Sequence, residues 1–115
     1  MLLRSQGSLG PPDSKSYRRH RFLVPEGSER LWLSFSYDPG GETPKNLLTL
    51  TLLGPGGFRG AAHRFAPRQT IELDERWATP GFLPGRIPPG EWTAEIDVHA
   101  VVSTACRYEL TVEAS

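Results

Sequence analysis

The chain has 115 residues, and its 13 basic and 13 acidic side chains cancel. That length makes one domain and leaves no room for two. A neutral chain lacks the surplus of Lys and Arg that neutralising phosphates requires, which argues against a nucleic-acid partner.

The chain start, Met1-Leu2-Leu3-Arg4-Ser5-Gln6-Gly7, lacks the apolar stretch of a signal peptide, and no later run is long and apolar enough to span a membrane. Cys106 is the single cysteine, so no internal disulfide can form. The expectation is a soluble cytoplasmic protein without a membrane partner.

Residues 1–14 are rich in Gly, Ser and Pro and read as a flexible leader. The single domain is then expected over residues 15–115. Arg18 to Val24 is a weak strand candidate. Arg30 to Tyr37 is a strong one, with Leu31, Leu33, Phe35 and Tyr37 on one face and Trp32, Ser34 and Ser36 on the other. Alternation with period two marks a strand with one buried face.

Asn46 to Leu53 repeats the pattern through Leu48, Leu50 and Leu52, with Thr49 and Thr51 opposite. Arg59 to Phe65 and Gln69 to Leu73 are weaker. Glu91 to His99 buries Trp92, Ala94, Ile96 and Val98, and Ala105 to Val112 buries Cys106, Tyr108, Leu110 and Val112. Asp74-Glu75-Arg76-Trp77 forms one helical turn at most.

Turn sequences separate these runs: Pro25-Glu26-Gly27-Ser28, Asp38-Pro39-Gly40-Gly41, Gly54-Pro55-Gly56-Gly57 and a long Pro/Gly stretch over 78–90. Seven or eight short strands with regular turns give an all-β, two-sheet antiparallel sandwich, with jelly-roll-like connections among its possible topologies. Leu33, Phe35, Leu50, Trp92, Ile96, Tyr108 and Leu110 are expected between the sheets.

Four prolines and three glycines fall between Thr79 and Gly90. Neither a helix nor a central strand tolerates that density. Prolines restrict the unfolded ensemble, so ordering this loop costs less entropy than ordering a flexible one. Phe82 and Leu83 are the large apolar groups in its middle and are expected to anchor it, on this domain or on a partner.

Two motifs follow one another in order: Gly-Pro-Gly-Gly-Phe-Arg-Gly (54–60), then Ala-Thr-Pro-Gly-Phe-Leu-Pro-Gly (78–85) running into Ile-Pro-Pro-Gly-Glu-Trp (87–92). From Tyr17 to Val112 the chain resembles the N-terminal β-sandwich of PHP-class (polymerase and histidinol phosphatase) metal-dependent hydrolases, in the carbaryl-hydrolase-like branch. The resemblance implies a non-catalytic accessory domain that acts with a hydrolase whose catalytic domain opens with a metal-binding His-x-His element.

His20, His63 and His99 form no such element, so no metal ligand of the family carries over. After Gly60, where the pattern has an aromatic and more glycine, this chain has Ala61-Ala62-His63-Arg64.

The sequence therefore points to no cofactor, metal or catalytic residue. Three scattered histidines lack ligand spacing. Cys106, on an inward face, reads as an inert core thiol, and the two carboxylates Asp38 and Glu42 in one turn are a weak signal for calcium. Lys15, Arg18, Arg19, His20 and Arg21 read as an edge strand protected by charge rather than an anion patch. Arg59, Arg64 and Arg68 are a second candidate for an anion.

The aromatics are the better lead, because exposed rings mark protein- or sugar-contacting surfaces. The candidate binding residues are Trp32, Arg59, Trp77 and Phe82. The expected function is docking, oligomerisation or substrate presentation beside a hydrolase. The alternative is a carbohydrate-binding module that stacks sugars on Trp32, Trp77 or Phe82, and it requires coplanar exposed rings on one face.

Overall fold

A computed structural model describes residues 1–40, 45–62 and 66–115. Among these lie eight strands: β1 (Leu3–Leu9), β2 (Ser16–Val24), β3 (Arg30–Asp38), β4 (Leu47–Gly54), β5 (Gly57–Ala62), β6 (Arg68–Asp74), β7 (Gly90–Ala100) and β8 (Cys106–Ala114). A single 3-10 turn, Pro11–Asp13, joins β1 to β2. No helix among the described residues is long and apolar enough to cross a membrane.

The strands make two four-stranded sheets, in the orders β1-β8-β3-β6 and β2-β7-β4-β5, with every neighbouring pair antiparallel. β1 pairs with β8, β2 with β7, β3 with β6 and β4 with β5. That is the wrapping of one long double-stranded ribbon, which defines a jelly roll. The sandwich expectation holds, and the topology is the jelly-roll option.

The core follows from the alternation. Leu31, Leu33, Phe35 and Tyr37 of β3 face Leu48, Leu50 and Leu52 of β4, and Trp92, Ala94, Ile96 and Val98 of β7 face Cys106, Tyr108, Leu110 and Val112 of β8; all are buried. All seven residues expected between the sheets are there.

Two buried polar residues are satisfied locally. Thr49, on the outward face of β4, bonds the His99 ring at 2.8 Å. Asn46 donates to the Pro39 carbonyl (3.0 Å) and the Ser103 hydroxyl (2.9 Å) and accepts from the Val102 amide (2.7 Å), tying the β3–β4 and β7–β8 connections together.

One expectation needs correction. Residues 1–14 are not a flexible leader: residues 3–9 form β1, in register with β8 from Leu3–Val112 to Leu9–Cys106. The polar, glycine-containing sequence hid this strand, because most of its partners are supplied by β8 and not by its own hydrophobicity. Gly7 is there for a packing reason. A Cβ at that position would stand 2.5 Å from the Tyr108 ring, so the glycine is what lets β1 lie over Tyr108.

The weaker candidates are strands over their described residues: 18–24 lie in β2, 59–62 in β5 and 69–73 in β6, while Phe65 lies outside the described residues. β2 is an edge strand, as its charge cluster implies, and its arginines pair within the domain: Arg18 with Asp13 (2.7 Å), Arg19 with Glu95 (3.0 Å) and Arg21 with Glu91 (3.4 Å). Gly54-Pro55-Gly56-Gly57 is the tight turn between β4 and β5, where Gly54 and Gly57 pair. The Asp74–Trp77 segment is a turn in which the Asp74 carboxylate accepts the amides of Arg76 (2.8 Å) and Trp77 (2.7 Å). Those two bonds hold the Asp74 carboxyl below the usual carboxylate range.

Candidate interaction surface

The β6–β7 connection, which carries the Pro/Gly motif, crosses from one sheet to the other and pairs with both on the way. Ala78 bridges Leu73 of β6, and Phe82 bridges Gly60 of β5. Backbone bonds extend the seam: Thr79 N–H to the Glu72 carbonyl (2.9 Å), Ala61 N–H to Gly81 (3.0 Å), Leu83 N–H to Arg59 (2.9 Å) and Gly85 N–H to Asp74 (2.9 Å). The loop therefore closes one lateral side of the sandwich.

Glycine makes the close approach possible. Gly60 has φ +130°, and a Cβ there would lie 2.4 Å from the Phe82 Cα, so any side chain would push the loop off. The Phe82 ring, 6% exposed, and Ile87, 5% exposed, are buried in the core.

Arg59 sits at a register shift between β4 and β5. Its guanidinium donates to the carbonyls of Leu83 (3.1 Å from Nη2), Gly85 (3.3 Å) and Arg86 (2.9 Å) and lies 5.1 Å from the Trp92 ring centroid. A planar fork with five donors suits such a run of carbonyls, and the ring face beneath it adds a cation–π contact. Burial lowers its pKa somewhat. The Trp92 indole N–H completes the clamp by donating to the Pro88 carbonyl at 2.9 Å. A carbonyl-occupied guanidinium is a loop clamp, which corrects the expectation of Arg59 as a ligand-binding residue.

Phe82 is corrected likewise: a ring buried in the core cannot serve as a stacking platform. Leu83 is not an anchor, since it is 47% exposed. Trp77 is also about half exposed, in the turn after β6, and Phe58 at the start of β5 is 57% exposed. Beside the loop, Arg86, Ile87 and Pro89 line an open cleft of about 780 Å³ together with Glu29, Arg76 and Ser115. The cleft's charges are of both signs.

Trp32 lies elsewhere, on the outward face of the β1-β8-β3-β6 sheet, between Glu113 of β8 and Glu72 of β6, and it is 39% exposed. The next row on that face is Thr111, Ser34 and Thr70. Beyond it a groove of about 520 Å³ is lined by Gln6, Ser36, Asp38, Arg68, Arg107 and Glu109. The structure thus does not bring Trp32, Arg59, Trp77 and Phe82 into one site. Arg68 belongs to this second face, in the other sheet from Arg59.

His20 points into the sandwich from β2 and His99 outward from β7; His63, Arg64 and Glu42 lie outside the described residues. Among the described residues no three His, Cys, Asp or Glu side chains converge as metal ligands. Burial raises the Cys106 thiol pKa, which keeps it protonated. No protein-family model and no curated protein matches the sequence.

Proposed function

We propose that this domain is a non-catalytic docking module that works beside a PHP-type metal-dependent hydrolase in the cytoplasm, without turnover of its own. The supporting observation is the clamped loop. Its backbone is tied to β5, β6 and Arg59, yet it leaves Leu83 and Trp77 about half exposed, while Arg86, Ile87 and Pro89 of the same connection line a cleft of mixed charge. A partner that meets apolar side chains on a pre-ordered backbone avoids the entropy cost of ordering it. Aromatic and aliphatic groups with a polar rim are the usual composition of such contacts.

The test is a titration of this domain with a PHP-type hydrolase domain carrying a His-x-His element. Leu83→Asp and Trp77→Ala should each weaken binding in sedimentation while leaving the melting temperature unchanged. Binding that is unaffected by both substitutions contradicts the reading.

The expected set of coplanar rings is not formed, but the face around Trp32 supports a narrower second reading, a carbohydrate site in which this single indole is the platform and the hydroxyls of Ser34, Thr70 and Thr111 supply hydrogen bonds. Retention of the domain in polysaccharide gels, abolished by Trp32→Ala, would support it. Equal mobility with and without polysaccharide would remove it.

A further inference from the structure

The two sheets end differently on the side away from the loop. Among the described residues β1 and β2 are the free edges there, each paired on one side only. A free edge presents unpaired backbone donors and acceptors, and natural sheets blunt it with charge, Pro or a bulge. β2 is blunted: Arg18, Arg19 and Arg21 lie along it. β1 reads Leu-Arg-Ser-Gln-Gly-Ser-Leu, with one charge, no proline and an unbroken register to β8.

The β1 sequence is also self-complementary. In an antiparallel pair, side chains keep to one face only when residues of equal parity oppose each other. A two-fold axis through Gln6 satisfies that and pairs all seven residues of the strand. Leu3 then faces Leu9 of the second copy and Ser5 faces Gly7, both on the inward face. Arg4 faces Ser8 and Gln6 faces Gln6 on the outward face. No like charges meet, and an amide pair sits on the axis. β2 paired with itself would bring its arginines together.

We infer that β1 is a self-association edge, at which two copies of this chain join their β1-β8-β3-β6 sheets into one eight-stranded sheet through antiparallel pairing centred on Gln6. This inference uses only this chain and stands independently of any hydrolase.

Sedimentation velocity of the full chain over a wide concentration range tests it, with two substitutions on the exposed outward face of β1. Gln6→Lys places two ammonium groups opposite each other and should weaken the dimer. Ser8→Glu faces Arg4 of the second copy twice, and should tighten it by about two- to thirtyfold, from the usual worth of a cross-strand ion pair. Gln6→Cys should form a disulfide-linked dimer under mild oxidation, because directly opposed residues lie within disulfide reach. Arg19→Cys, on β2, should not.

A chain that stays monomeric at every concentration, or a dimer that ignores both Gln6→Lys and Ser8→Glu, overturns the inference. Melting curves of the variants should match the parent, which separates lost association from lost folding.

Discussion

The two lateral sides of the sandwich solve the same problem in opposite ways. On one, the β6–β7 loop pairs first with β6 and then with β5, and its Phe82 ring enters the core. On the other, no such bridge joins β1 and β2 among the described residues, and side chains meet between the sheets near them: the Tyr108 hydroxyl stands 3.4 Å from His20 Nε2, with the rings edge to face. The first side is sealed by backbone, glycine and an arginine clamp. The second is left open for pairing. An irregular loop thus does the work of a strand pair, while a regular strand carries the unfinished edge.

If the closed side is structural, its largest effect comes from Phe82. Phe82→Ala should cost about 3–5 kcal/mol, as for other buried aromatics, whereas Gln6→Ala on the open side should stay within about 0.5 kcal/mol. Thermal melts of the pair, at a concentration where the chain is monomeric, make the comparison. Equal melts would erase the distinction between the sides.

Arg59→Lys keeps the charge but loses the fork. It should cost about 1–2 kcal/mol in denaturant titrations, since one ammonium cannot reach the carbonyls of Leu83, Gly85 and Arg86 together. Full retention of stability would show that the guanidinium decorates a loop already held by Phe82.

The open side should answer to pH. Burial holds the His20 pKa below its ordinary 6.5. The folded chain therefore binds fewer protons than the unfolded one, so stability is full above pH 6.5 and declines as pH falls through that value. His20→Gln should flatten this decline. The carboxyls of Asp13, lowered mainly by the Gly10 amide, and Asp74 contribute in the same sense, but only as pH falls below 3.8. The two windows are separable in one series of melts. An unaltered slope in the variant would mean that His20 does not sense its burial.

The smallest effect belongs to the exposed Leu83 side chain. Leu83→Ser should change stability by less than about 0.5 kcal/mol. A larger loss would place Leu83 among the anchors.

Legibility in the sequence followed the source of each element's stability. β3, β4, β7 and β8 carry their own inward leucines and aromatics, so period two revealed them and the core. β1 could not be read, because its partners and the burial of Leu9 come from a strand more than ninety positions away in the chain. The glycines and prolines marked 78–90 as an ordered loop, and its two large apolar groups, Phe82 and Leu83, were both expected to anchor it, but only Phe82 is buried. The sequence could not show that Phe82 alone enters the core, since that depends on Gly60 making room across the seam. The Arg59 clamp was hidden for a related reason: its acceptors are backbone carbonyls, which have no sequence signature. Trp32 was placed correctly on an outward face by alternation alone.

Amide hydrogen exchange tests the sealed side most directly. The N–H groups of Ala61, Thr79, Leu83 and Gly85 bond across the seam, so in the parent chain they should exchange as slowly as the central β7 amides, opening only when the domain unfolds. In Phe82→Ala they should become fast while β7 remains protected. Exchange of these four amides at unstructured-chain rates in the parent, with β7 protected, would contradict the claim that this loop closes the fold.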